Sequence, residues 1–168
     1  FSMNGHIAPL PEIVTIARKY NARVMTDDAH ALGVIGHGGR GTASYFGLTD
    51  QTDIIMGTFS KSLASSGGFL ASSERVINYI KHNSPAIIFN ASMPASNAAA
   101  ALKALEIIQD EPECIQKLHH NAKRLRNGLE QLGFNVIKGE TPIIPVIIRD
   151  DVMTFSLWKK LFDFGVYT

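Results

Sequence analysis

Three features of the sequence point to an α/β fold with a second, smaller α+β unit. Short β-forming runs alternate with helical periodicities, the pattern of an α/β layer architecture. The runs before residue 94 are short and continuously apolar, as in a sheet covered on both faces. After about residue 110 the order becomes helix, strand, strand, helix, strand, with more charge. The chain therefore divides into residues 1–110 and 111–168, with a linking helix over 94–110.

Pro9 and Pro11 mark a helix start, where a missing N–H is tolerated. Leu10, Ile13, Val14, Ile16 and Ala17 recur at helical spacing up to Tyr20, and Asn21 breaks the pattern. Ala22–Thr26 is a short buried strand ending in Asp27-Asp28-Ala29-His30. The glycines Gly33, Gly36, Gly38, Gly39 and Gly41 demand a loop. Strands are expected at Asp53–Thr58, Gly68–Ala71 and Ala86–Phe89. Between the last two, Ser72 or Ser73 caps a helix from Glu74 to about His82. Pro94 opens a long helix through Ala98, Leu102, Leu105 and Ile108. Pro112 starts another to about Leu132, ended by Gly133. Phe134–Lys138 and Ile143–Ile148 read as strands, Val152–Phe164 as a helix, and Gly165–Tyr167 as the start of a strand.

Composition narrows the function classes. The 168 residues are 45% hydrophobic and 18% charged, with net charge +1. That is ordinary globular composition, and a chain of this size buries about 70% of its extended surface. Near-neutral charge argues against nucleic acid or a polybasic membrane module. The lone Cys114 excludes an internal disulfide framework and a Cys-rich zinc site. No apolar run approaches the roughly 20 residues of a membrane span, and no signal peptide is recognisable. The chain starts at Phe1 rather than Met, which reads as a piece of something longer.

Four clusters could carry chemistry. Asp27 and His30 stand at a strand end, where open α/β sheets bind ligands. They could hold a cofactor or, with Asp28, a metal; equally, Asp27 caps the next turn and His30 is a satisfied loop histidine. Thr58-Phe59-Ser60-Lys61-Ser62 comes directly off another strand and precedes Gly67-Gly68. Hydroxyls and backbone N–H groups there can hold a phosphate. A partly desolvated lysine could attack a carbonyl as the free amine; an isolated Ser-Lys-Ser is more often a surface lysine in a polar loop. The glycine stretch has neither Walker nor dinucleotide-fingerprint spacing and reads as a tight loop of close backbone approach, with Arg40 reaching a carboxylate or carbonyl. His119 and His120 read as solvated helix residues, and His6, His37 and His82 as lone histidines. A carboxylate with His, then a lysine among hydroxyls, meets the demands of pyridoxal phosphate: a Schiff-base lysine, a partner for the pyridine nitrogen and donors for the phosphate.

The segments Phe1–Gly5, Val24–His30, Gly36–Gly41, Gly57–Ser62 and Phe89–Pro94, in this order and spacing, closely resemble the α-oxoamine synthases. The resemblance covers essentially the whole chain. It implies the pyridoxal-phosphate transferase fold of type I. The chain would hold part of the large mixed-sheet domain and the start of the smaller C-terminal domain. It implies that Lys61 binds the cofactor and later removes the substrate Cα proton, and that Asp27 pairs with the pyridine nitrogen. His30 and Ser2 would hydrogen-bond near the ring's phenolic oxygen, and Thr58 and Ser60 would contact the phosphate. Asn90, where the family has Ser or Thr, would reach the phosphate at the other subunit's site in a homodimer with shared active sites. Within the family, Thr58–Ser62 is most like the branch that condenses L-serine with a long-chain acyl-CoA, with decarboxylation, to a 3-ketosphinganine-type product. Alternatives are a family member using alanine or glycine, and a non-catalytic partner subunit. The resemblance further implies an enzyme of lipid metabolism, with the family's upstream glycine-rich loop and downstream carboxylate-binding arginine outside this sequence; without a spanning helix, a cytoplasmic location is the default expectation.

Overall fold

The computed structural model describes residues 2–168; Phe1, which opens the first matched segment, lies outside the described residues. Helix α1 spans Leu10–Lys19, with Pro11 and Glu12 in its first turn and Arg18 and Lys19 in its last, the polarity that suits a helix dipole. Its inner face buries Leu10 and Val14, four residues apart. They pack with Val24 and Ala43, and Ala17, Phe46, Leu48 and Ile55 surround this core.

Strand β1 (Met25–Asp27) pairs parallel with β2 (Ile54–Thr58), placing Thr26 beside Ile55 and Asp27 beside Met56. Strand β3 (Gly68–Ala71) runs antiparallel to β2, with Thr58 opposite Gly68. The result is a mixed sheet of order β1-β2-β3. β1 begins later than expected because Val24 is held from its edge by a side chain. Its N–H donates to Asp53 Oδ2 at 2.8 Å, and the same carboxylate pairs with Arg18 at 3.2 Å and Arg23 at 3.0 Å. Within this chain Val24 and Thr26 are buried, whereas Met25, on the edge strand β1, is 55% exposed.

Between β1 and β2 the glycine stretch forms a loop containing a 3₁₀ turn at His37–Gly39 and the short helix α2 (Thr42–Tyr45). Helix α3 (Glu74–Asn83) starts at Ser73 without a side-chain cap, while Ser72 Oγ instead donates to the Asp53 carbonyl. The strand expected at Ala86–Phe89 is a helical turn, α4 (Pro85–Ile88). Pro85 supplies a helical φ at the first position, and the Ser84 carbonyl accepts from Ile87 and Ile88 N–H at 3.0 Å. A four-residue apolar run carries no period that separates the two states.

Helices α5 (Ala95–Asp110), α6 (Glu113–Gln131) and α7 (Asp151–Asp163) stand where expected. Asp150 caps α7 by accepting from the Met153 N–H at 2.7 Å. The runs 134–138 and 143–148 do pair, but only through one antiparallel bridge, Val136 with Val146. Pro142 and Pro145 supply no N–H, which limits the ladder. No strand forms at Gly165–Tyr167; Val166 N–H returns to the Leu161 carbonyl and closes the helix end. The later residues are fastened to the earlier ones. Thr141, fully buried, donates from Oγ1 to the Gly5 carbonyl at 2.8 Å. Arg126 donates to the Thr141 carbonyl at 2.8 Å. His119 is half-buried and within 2.7 Å of the Val34 carbonyl, so it is not the solvated residue the sequence suggested.

Candidate active site

Parallel pairing of β1 and β2 puts their C-terminal ends side by side. Asp27 closes β1 and Thr58 closes β2, so the Asp27–His30 and Thr58–Ser62 turns leave one sheet edge together. That edge is where α/β sheets of this kind bind ligands.

Asp27 is exposed, and its Oδ1 accepts from the Ala29 N–H at 2.9 Å. The bond caps the turn, as the plainer reading held, and also fixes the carboxylate's direction. His30 is half-buried, and burial, followed by the positive charge of Lys61, lowers its imidazole below the ordinary value. It is a neutral ring at pH 7, able to accept at one nitrogen and donate at the other.

The lysine turn is built by its hydroxyls. Thr58 Oγ1 donates to the Gly67 carbonyl at 3.1 Å and lies 2.9 Å from Ser60 Oγ. The Ser60 N–H points to Thr58 Oγ1 at 3.3 Å. Phe59 N–H bonds the Gly67 carbonyl and Ser65 N–H the Phe59 carbonyl, which closes the turn over residues 59–67. Lys61 projects from it, exposed, and makes no ion pair among the described residues. The partial desolvation expected around this lysine is thus not supplied by the neighbouring residues of this chain.

Asp27, His30, Thr58, Ser60 and Lys61 share this edge. Ser2, in the opening turn, and Asn90, after α4, are both exposed, and no hydrogen bond ties either to the edge among the described residues. Among the described residues Arg40 makes no side-chain hydrogen bond, contrary to expectation; its backbone bridges to Leu32. No cluster of three or more metal-ligating side chains forms among the described residues. Asp27 and Asp28 differ in burial, the first exposed and the second 2% exposed. The sequence offered Asp28 only as a possible metal ligand beside Asp27 and His30; its place among alternating buried positions, after Val24 and Thr26, was the signal that marked it as interior.

The profile of the aminotransferase class I and II family matches residues 1–168, and the chain belongs to that family. Among its relatives, a serine palmitoyltransferase of Sphingobacterium spiritivorum is 52% identical over 167 residues, covering 99% of this chain and 42% of that protein. An 8-amino-7-oxononanoate synthase of Lysinibacillus sphaericus is 46% identical over 167 residues, covering 99% of this chain and 43% of its own length. In three dimensions the chain matches serine palmitoyltransferase from S. paucimobilis, solved with a bound PLP–myriocin aldimine. The TM-score is 0.93 at 35% identity, over 99% of this chain and 44% of that one. The mixed α/β arrangement is that of the type I pyridoxal-phosphate transferases. The chain spans about 42% of the length of the first of these relatives.

Proposed function

We propose that the full-length protein is a pyridoxal-phosphate enzyme of the α-oxoamine synthase class, condensing L-serine with a long-chain acyl-CoA. The observation that carries this reading is the parallel register of β1 and β2, which sets Asp27 and the Lys61 turn at one sheet edge. The donor set there fits the cofactor: one amine, one carboxylate held in direction by Ala29 N–H, and two adjacent hydroxyls with a backbone N–H beside them.

When bound, pyridoxal phosphate supplies an electron sink for negative charge at the substrate's Cα. Lys61 would hold it covalently through Nζ. The Asp27 carboxylate would keep the pyridine nitrogen protonated, and Thr58 and Ser60 would donate to the phosphate. Neutral His30 would hydrogen-bond near the phenolic oxygen, with Ser2 beside it. Once substrate occupies the site, Lys61 Nζ is a free amine and takes the Cα proton. Asn90 would donate from its amide to the phosphate of a partner subunit in a homodimer. Residues 1–110 would form the cofactor-binding unit and 111–168 the start of a smaller unit. A cytoplasmic location goes with this reading.

Serine and a long acyl chain are favoured over alanine or glycine with a short one on two grounds. The first is the 52% identity to the Sphingobacterium spiritivorum serine palmitoyltransferase. The second is an apolar groove flanking the lysine turn, lined by Leu32, Phe59, Leu63, Phe69, Met93 and Leu102.

The reading is tested with purified full-length protein by titrating its visible spectrum with serine, alanine and glycine, and by following thioester cleavage across acyl-CoA chain lengths. Serine is expected to perturb the spectrum at the lowest concentration, and kcat/KM to rise with chain length. A flat chain-length profile with preference for alanine or glycine selects the alternative. Lys61→Ala is expected to lower kcat by about 10³-fold or more, the scale on which removing a nucleophile and base acts; unchanged turnover contradicts the assignment.

A further inference from the structure

Asp28 is a buried carboxylate to which the reading above gives no task. Its Oδ2 accepts the backbone N–H of Thr42 at 3.0 Å, while Oδ1 has no hydrogen-bond partner among the described residues. Burial raises its carboxyl above the ordinary value, against the lowering effect of the Thr42 bonds. Buried polar atoms are nearly always paired, so a carboxylate kept here at such a desolvation cost calls for an explanation.

Its contacts lead outward to the lysine. Gly41 has φ +90°, and a methyl group on it would lie 2.3 Å from Asp28 Oδ2, so the loop backbone presses directly on the carboxylate. The loop then closes on itself: Gly41 N–H bonds the Ile35 carbonyl at 2.9 Å, Gly33 N–H bonds the Gly39 carbonyl at 2.7 Å, and Leu32 bridges Arg40. Gly33 in turn bears on the lysine turn, where an added methyl would lie 2.6 Å from Ser62 Cβ. Ser62 Oγ donates to the Leu32 carbonyl at 2.7 Å. An unbroken run of contacts thus joins Asp28 to the residue beside Lys61.

We propose that Asp28 is a positioning residue: its carboxylate clasps the glycine loop 33–42, and the clasped loop seats the Lys61 turn against the strand end that carries Asp27. The assignment of Lys61 as the cofactor-bearing residue underlies the cofactor arm of the test below, but not its exchange arm.

Amide hydrogen exchange of the full-length protein without cofactor is compared for wild type, Asp28→Asn and Asp28→Ala. Asp28→Ala is expected to lose about tenfold or more protection in peptides covering both 36–42 and 60–66, with the rest of the chain unchanged. Asp28→Asn keeps a side-chain oxygen for the Thr42 N–H and is expected to stay near wild type. In the second arm, the dissociation constant for pyridoxal phosphate, read by absorbance, rises about tenfold in Asp28→Ala and not in Asp28→Asn. Should Asp28→Ala fail to fold, Gly41→Ala pushes the same contact apart from the loop side and is expected to give the same paired loss of protection. Three results would overturn the proposal: loss confined to 36–42, uniform loss along the chain, or Asp28→Asn behaving as Asp28→Ala. A wild-type protein that binds no cofactor contradicts the cofactor reading instead, and the exchange arm still decides the clasp.

Discussion

Asp53 shows how one side chain sets the start of the sheet. Its carboxylate takes the Val24 N–H and both Arg18 and Arg23, and it is held below the ordinary carboxylate value, first by the Val24 bond. A lowered carboxyl stabilises the fold above its unfolded value of 3.8 and loses that contribution as pH falls through the lower folded value. Asp53→Asn in the full-length protein should therefore lower stability by about 1–2 kcal/mol at pH 7, measured by denaturant unfolding. The deficit should shrink below pH 3.8; a deficit that persists unchanged in acid contradicts this role. At this scale the candidate site was legible in the sequence wherever residue type and strand-end position suffice, as at Asp27, Thr58 and Lys61. Asp28 and His119 were not, because burial defines them. Their neighbours, Thr42 and Val34, are 14 and 85 residues away in the chain.

Elements were predicted best where local chemistry and tertiary packing agree. Helix α1 carries its own punctuation and an apolar face, and α5 and α6 start near prolines. The run Ala86–Phe89 has β-branched residues but forms α4, because Ser84 and Pro85 set a helical turn locally. The apolar runs 134–138 and 143–148 were readable as extended segments, but their pairing through one bridge was not; Pro145 in the second run limits the ladder. Spacing showed that the glycine stretch was no phosphate loop, but not what it touches. Gly33 makes that contact testable. It has φ +74° and abuts Ser62. Gly33→Ala is expected to cost about 1–3 kcal/mol and to weaken pyridoxal phosphate binding at the same time, read by thermal unfolding and absorbance titration. Loss of stability with unchanged cofactor affinity would separate the loop from the lysine turn.

For the whole molecule, composition promised an ordinary core, and the chain has a small one. Phe89 and Phe164 are 86% and 85% exposed, and Leu132, Phe155 and Tyr167 are also exposed. Soluble monomers rarely leave so much apolar surface open. The 168-residue chain by itself is therefore expected to self-associate, by light scattering; a stable monomer at micromolar concentration contradicts this. Among the described residues no helix is long and apolar enough to cross a membrane. The α/β class was readable from the alternation of elements. What covers Met25 was not, since an apolar run says that burial is wanted and not what provides it. The proposed role of Lys61, at the edge shared by β1 and β2, is to carry pyridoxal phosphate. It is tested most directly by reducing the full-length protein with borohydride and mapping the modified peptide by mass spectrometry. A yellow protein bearing a phosphopyridoxyl group on Lys61 is the expected result. A protein that stays colourless and unmodified after incubation with the cofactor would contradict it and favour a non-catalytic partner subunit.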